Sequence, residues 1–389
     1  MLHIFRIVFL VVIFVSCGVN RNDSSITEIY LADGEKNIKE FNLSELVDEV
    51  EYIKLETRTD CIITRPRFEV SENYLLISNQ YRPGQVMLFG RDGFFKALIG
   101  KKGKGPTEYV RNSSRTRISN NEDWILVDDD ASQRLLKYDI TGKFLKSYSY
   151  KRSKSERMSK FDITPDNCII LLYTRPQEAV SDFPLVLILD EDFSIIEESF
   201  FITKSESTNS GTIAGTPSLL VRDNQVLIRE PYFDTLYRKN GLKYEALFHI
   251  NYKDEMPPNY HISFDKKYNQ LTWISQIGDY IVGHAVDKDS DGRISTYYYN
   301  ILTKETIHPK TDNSFNDIDG IAEVWISVEN IEGYIIDHLQ IIDLKEIIEK
   351  EEYKKSVQFP EKQKQLIKLA DESNEEDNAI IRLFHVKSK

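Results

Sequence analysis

The sequence predicts an all-β protein, a six-bladed β-propeller with C-terminal helices packed on it. Three observations predict it: a short apolar run recurs six times, most copies are followed by a hairpin signal, and the composition is rich in strand formers. The recurring runs start at Tyr74, Trp124, Ile169, Val226, Tyr280 and Tyr334, at intervals of 50, 45, 57, 54 and 54 residues. A repeat of about 50 residues built from short strands is the size of a four-stranded propeller blade, and six copies close a ring. A β-solenoid has much shorter rungs. No Trp-Asp signature is present, which disfavours a WD40 propeller.

Composition sets the outer bounds. The chain has 389 residues, 41% hydrophobic and 29% charged, enough apolar material for a sizeable core. It carries 21 Tyr and 20 Phe, residues that favour pleated surfaces over helix bundles. The formal charge of −12 argues against general nucleic-acid binding, which needs a basic footprint. Three cysteines do not make a disulfide scaffold.

The amino terminus reads as an address. Arg6 closes a short positive segment, Ile7 to Val15 is apolar and uncharged, and Ser16 precedes Cys17. That is the layout of a secretory signal, and its apolar run is too short to span a bilayer. A small residue directly before Cys suggests a bacterial lipoprotein signal over 1–17, with Cys17 acylated and first in the mature chain. The alternative is an ordinary secretory signal with an incidental Cys. Residues 18–40 are expected to be a polar tether and lead-in, and 41–389 the propeller domain. Cys61 and Cys168 remain; whether they pair is open, and Cys168, set in an apolar run, reads as a small core residue.

Within the repeats, the clearest unit is Gln85–Phe89, the turn Arg91-Asp92-Gly93, then Phe94–Ile99. Arg134–Tyr138 with Thr141-Gly142, Leu185–Leu189 with Asp190–Asp192, and Thr235–Tyr237 with Asn240-Gly241 repeat it, and Tyr297–Tyr299 with Thr303-Lys304 is a looser copy. Asp-Gly and Asn-Gly between apolar runs predict type I′ turns, which need positive φ at both central residues. The sixth copy lacks a hairpin. Helical sequence follows it, with a capping box expected at Asp343 and Glu346 and with Pro360 opening a second helix. The final run from Ala379 has strand composition, as does Val50–Leu55. Both chain ends are therefore expected to supply strands where the ring closes, because an open sheet edge leaves amides and carbonyls unpaired.

Four segments carry a family resemblance: Val50–Thr57; Phe94–Tyr109; Trp124–Phe144; and Asp377–Ile381. The most specific is Gly103-Lys-Gly105-Pro106-Thr-Glu108-Tyr109, a Gly-x-Gly-Pro-x-Glu-Tyr motif. On these residues the chain resembles the six-bladed β-propeller lipoproteins of Bacteroidetes-type bacteria, relatives of NHL-repeat propellers, although Ala379 stands where that family usually has Pro. The resemblance implies a fold and a cell-envelope location, periplasmic or outer-membrane. It implies no activity and no catalytic residue.

Two motifs invite chemistry. Gly100 to Gly105 has phosphate-loop spacing, but Pro106 stands where the phosphate-contacting Lys belongs and lacks an amide donor. The competing reading is a tight connection between blades, anchored by Glu108 and Tyr109. Asp287, Asp289 and Asp291, followed by Gly292, match the start of a calcium loop, without the Glu that would complete it. The competing reading is a metal-free acidic hairpin turn. Residues 91–117 carry eight basic residues against two acids, and 134–160 carry nine against two. That density is either a docking face for an anionic ligand or a set of solvated, scattered positions. Five histidines, His249, His261, His284, His308 and His338, are far apart in sequence and could converge only on the ring axis.

The leading expectation for function is a non-catalytic, monomeric binding or scaffolding module of the cell envelope. It would be held to the membrane by its lipid alone and take a glycan, peptide or partner protein on the axial face. The alternative is a propeller enzyme, a glycan lyase or hydrolase, with a composite axial site. No cofactor beyond the candidate calcium is expected, and no nucleic acid.

Overall fold

The computed structural model describes residues 26–387, excepting 80–83, 151–156, 175–185, 200–217, 223, 230–234, 254–269, 287–292, 311–315, 325, 327–332 and 354. Three strands come first: β1 (Thr27–Tyr30), β2 (Ile38–Lys39) and β3 (Val47–Lys54). Five up-and-down sheets follow. Blade 1 is β4 (Pro66–Val70), β5 (Tyr74–Asn79), β6 (Val86–Gly90) and β7 (Phe95–Leu98). Blade 2 is β8 (Asn112–Ile118), β9 (Trp124–Asp129), β10 (Arg134–Asp139) and β11 (Phe144–Ser149). Blade 3 is β12 (Arg157–Ile163), β13 (Ile169–Thr174), β14 (Val186–Leu189) and β15 (Ile195–Ser199). Blade 4 is β16 (Ser218–Arg222), β17 (Gln225–Arg229), β18 (Thr235–Asn240) and β19 (Lys243–Asn251). Blade 5 is β20 (Gln270–Ile277), β21 (Tyr280–Val286), β22 (Ile294–Asn300) and β23 (Thr306–Pro309). Blade 6 contains β24 (Tyr334–Leu339) and β25 (Ile380–Val386), with α1 (Ile341–Glu349) and α2 (Pro360–Asp371) between them.

Each of the first five recurring apolar runs is the second strand of its blade, and the packing explains why it reads as continuous rather than alternating. Side chains of a strand alternate between its two faces, and both faces of a blade are covered by neighbouring blades. Ile125 and Val127 pack towards blade 1 with Leu76 and Leu88, whereas Trp124 and Leu126 pack towards blade 3 with Ile169 and Leu171. Ile170 and Leu172 then face Val226 and Ile228 of blade 4. The described apolar core thus divides into six clusters, one for each junction between adjacent blades.

The chain ends close the ring as expected. β25 is the middle strand of a three-stranded sheet, pairing with β24 on one side (Ile336 opposite Leu383) and with β3 on the other (Arg382 opposite Tyr52). A buried polar network pins this sheet. The Arg382 guanidinium, fully buried, donates to Asp337 and to the Ile321 carbonyl, and lies 3.4 Å from Asp319. Asp319, also fully buried, accepts from the Tyr52 hydroxyl at 2.7 Å and from Asn316 at 2.6 Å. Burial, reinforced by Asp319, pushes the Tyr52 phenol far up. Burial alone would lower the Arg382 pKa, but Asp337 and Asp319 outweigh it and raise it.

The amino-terminal segment does more than lead in. β1 runs parallel to β19 as a fifth, outermost strand of blade 4, and β2 does the same against β23 of blade 5. A 3₁₀ turn, Leu31–Lys36, crosses between them with Leu31 buried. Residues 26–54 therefore form a strap over the rims of blades 4, 5 and 6. Helix α2 lies along β3: Lys362 is near Glu49, and Lys54 reaches Asp377 just beyond the helix. Its buried Leu366 and Ala370, with Leu344 of α1, share a core with Val50 and Phe384.

Three expectations are corrected. The hairpin turns are not type I′. Gly93 and Gly142 have φ of +82° and +86°, but Asp92 and Thr141 do not have positive φ, and each hairpin carries a bulge just before its turn. These are three-residue turns in which only the last position is left-handed. At the equivalent place in blade 3 the left-handed residue is Phe193. The capping box is also absent: α1 starts at Ile341 with Gln340 as its N-cap and no capping side chain, so Asp343 lies inside the first turn. Pro360 does open α2. Finally, Cys61 and Cys168 are both free thiols, and Cys61 is the fully buried one whereas Cys168 is half-buried.

Candidate functional site

The motif loop is a joint built from its own side chains. Glu108 folds back so that its carboxylate accepts from the Gly105 amide at 2.9 Å and pairs with Lys101 at 2.9 Å. These contacts hold its carboxyl below the usual range, the Gly105 amide foremost. A Cβ on Gly103 would stand 1.8 Å from that carboxylate, so a larger residue there would displace Glu108 from its place. Tyr109 is buried, and its hydroxyl accepts from the Val86 amide; burial pushes this phenol up to about 12. The blade-joint reading therefore accounts for Gly103, Gly105, Glu108 and Tyr109. The Gly105 amide that a phosphate would need is occupied by Glu108.

The sequence reading missed the other half of the joint. Arg134, at the start of β10, donates to the carbonyls of Pro106 (2.9 Å), Gly105 (3.3 Å) and Glu108 (2.5 Å). Asp129, fully buried at the end of β9, holds Arg134 and accepts from the Val110 and Arg111 amides. Tyr138 donates to the Thr107 carbonyl. No local pattern marks Arg134 or Asp129, because their partners lie a blade connection away.

The basic density of blades 1 and 2 resolves into pairs rather than a face. Arg91 pairs with Glu51, Lys96 with Asp92, Arg111 with Asp130, Arg134 with Asp129, and Lys137 approaches Glu191. Lys137 is buried and Arg91 and Arg134 are largely so, while Lys151, Arg152 and Lys154 lie outside the described residues.

Charged groups also meet on the innermost strands. Arg117 on β8 lies 2.8 Å from Asp162 on β12 and 3.4 Å from Glu69 on β4, so one guanidinium ties the inner strands of blades 1, 2 and 3. His338, on β24, lies 5.6 Å from the Phe68 ring on β4, and burial lowers its pKa. The remaining described histidines are dispersed. His249 pairs with Glu28 on the strap, His308 stacks on Tyr297, and His284 lies against Trp273. Among the described residues no group of three or more His, Cys, Asp or Glu is placed to hold a metal ion. Cys17, Asp287, Asp289 and Asp291 lie outside the described residues.

The two ends of each sheet differ. At one end the connections are brief: 71–73, 119–123, 164–168, 223–224 and 278–279 after the innermost strands, and 91–94, 140–143, 190–194, 241–242 and 301–305 before the outermost. At the other end the long connections 99–111, 175–185, 200–217, 252–269 and 310–333 stand beside short ones at 80–85, 130–133, 150–156, 230–234 and 287–293. Antiparallel strands reverse direction at each step, so connections between second and third strands leave from the same end as connections between blades.

Comparison with known proteins agrees with this architecture. A protein of Bacteroides fragilis described as exported has a similar structure, with a TM-score of 0.67 and 19% identity over 93% of this chain and 100% of its own. A member of the DUF4221 family from Bacteroides vulgatus is also similar, with a TM-score of 0.47 and 12% identity over 88% of this chain and 98% of its own. No curated protein matches the chain. A family model spans residues 26–385, from the strap to the closing strand, and by that match the chain belongs to the family described as a domain of unknown function, DUF4934.

Proposed function

We propose that the protein is a non-catalytic binding or scaffolding propeller of the cell envelope. It acts as a monomer, tethered by an acylated Cys17, and takes a glycan, peptide or partner protein on the end of the ring that bears the long connections. The lopsided connections carry this reading. A ring whose longest connections all leave from one end is how a scaffold presents recognition loops. The similarity to a protein described as exported supports the location. No helix among the described residues is long and apolar enough to cross a membrane. We add that Asp287, Asp289 and Asp291 hold calcium. Val286 pairs with Ile294, so this acidic segment joins two paired strands.

The test is direct. The purified chain is mixed with solubilised envelope polysaccharide, then analysed by size exclusion for a complex and by reducing-end assay for cleavage. The proposal expects a complex and no new reducing ends. Reducing ends that rise in proportion to protein would replace it with the enzyme reading. In cells, Cys17→Ser should move the protein from the membrane to the soluble fraction, and unchanged processing and fractionation would refute the anchor.

A further inference from the structure

The two most exposed large apolar side chains among the described residues are Leu242 (79%) and Leu302 (71%). They sit on the outer turns of blades 4 and 5, the two blades whose outermost strands carry β1 and β2. Between them the strap adds Ile26, Tyr30 and Ile38, each about half exposed. Ile26 and Tyr30 point away from the ring because β1 alternates, with Ile29 inward and buried. Thr27 lies opposite Phe248, five residues along β19 from Lys243 beside the Leu242 turn, ~17 Å at the rise of a strand. Ile26 and Tyr30 also line one open cleft of about 310 Å³ with Lys304, two residues from Leu302. Single exposed apolar residues are ordinary on a protein surface; a row along one rim is not.

The tether leaves from this same rim. Cys17 lies nine residues before Ile26, a reach of about 30 Å fully extended and about 16 Å as a flexible coil. A lipid held that close keeps the rim it leaves from beside the bilayer. Leu and Ile side chains on a tethered surface partition into the headgroup boundary.

We propose that the rim of blades 4 and 5 rests on the lipid surface, with Leu242, Ile26 and Leu302 entering the headgroup boundary, so that the ring stands edge-on and both axial ends open into solvent. This rests on acylation of Cys17, and the test separates the two. The lipidated full chain is reconstituted into phosphatidylethanolamine–phosphatidylglycerol vesicles containing brominated phosphatidylcholine. Leu242→Trp, Leu302→Trp and, across the ring on blade 1, Phe94→Trp are compared by fluorescence quenching. Trp124 and Trp273 are buried and Trp325 lies outside the described residues, so each variant is read as the excess over the wild-type signal. The expected result is extra quenching, at least twofold greater for Leu242→Trp and Leu302→Trp than for Phe94→Trp. Equal quenching at all three, or none, in protein that floats with the vesicles overturns the rim contact while leaving the anchor intact. Wild-type protein recovered wholly in the soluble fraction overturns both. Thermal melts confirm that each exposed-site variant is folded.

Discussion

Blades 1 and 2 are joined to their neighbours differently from blades 4 to 6. In the first group a hairpin tip is the fastener. The Gly93 carbonyl accepts from the Glu56 amide just beyond β3, and the Gly142 carbonyl accepts from the Gly100 amide just beyond β7. A Cβ on either glycine would stand 2.2 or 2.1 Å from a carbonyl oxygen of the preceding blade, Lys54 or Leu98. In the second group a separate piece of chain does the work, because β1, β2 and β3 cross three rims in succession. The matching glycine of blade 4, Gly241, has nothing within 4 Å of its would-be Cβ. One architecture thus holds neighbouring blades by turn contacts on one side and by a strap on the other. The strap also covers outer edges that would otherwise present unpaired amides and carbonyls.

The sharpest way to break the strapped side is to remove the strand it meets. Deleting residues 379–389 takes away the middle strand of blade 6, with both its partners. The expected outcome is loss of cooperative unfolding at the wild-type temperature, read by calorimetry. A truncated chain that melts as the wild type does would make the closing strand peripheral. Next in size, Arg382→Ala strands Asp319 and Asp337 without their cation. Breaking a buried pair from one side costs about 3–5 kcal/mol, and chemical denaturation should show a loss of that order. A loss below about 1 kcal/mol would mean the network only fills space.

On the other side, Gly93→Ala and Gly142→Ala should each cost about 2 kcal/mol or more, since a left-handed non-glycine residue alone costs ~1–3 kcal/mol and the carbonyl clash adds to it. Gly241→Ala, at φ +57° with open space around it, should cost about 1 kcal/mol. Equal losses at all three would erase the proposed difference between turn contacts and strap. The smallest expected effect is on blade 5. If Asp287, Asp289 and Asp291 bind calcium, metal at ten times its Kd should stabilise the protein by about 1.4 kcal/mol, and Asp289→Ala should remove that gain. Identical melts in chelator and in millimolar calcium would reject the site.

These differences also mark what a sequence can show. The blade count was legible because strands buried on both faces produce uninterrupted runs such as Ile169–Tyr173, and the closing strands because Val50–Leu55 and Ala379–Phe384 had no other use. The motif loop was legible as a joint because its own Glu108 and Tyr109 supply the anchors. Arg117 was not, since its partners Glu69 and Asp162 lie on other blades, and neither were Arg134, Asp129 and Arg382, whose partners sit in connecting segments or on a facing strand. The strap was hidden for a related reason: β1 is four residues long and β2 is two, and neither shows a period until it is paired. The turn type was misjudged because Asp-Gly suits both a two-residue I′ loop and a three-residue turn, and only the bulge distinguishes them.

Amide hydrogen exchange tests the central claim most directly. The strap seals the outer edges of β19 and β23 and supplies β3 as the outer strand against β25, while the outer edges of blades 1 to 3 carry no such cover among the described residues. Amides of β19, β23 and β25 that face β1, β2 and β3 should therefore exchange slowly, near the rate of the inner strands. Outward-pointing amides of β7, β11 and β15 should exchange quickly in the native state. Uniform protection of all six outer strands, or rapid exchange along β19 and β23, would contradict it.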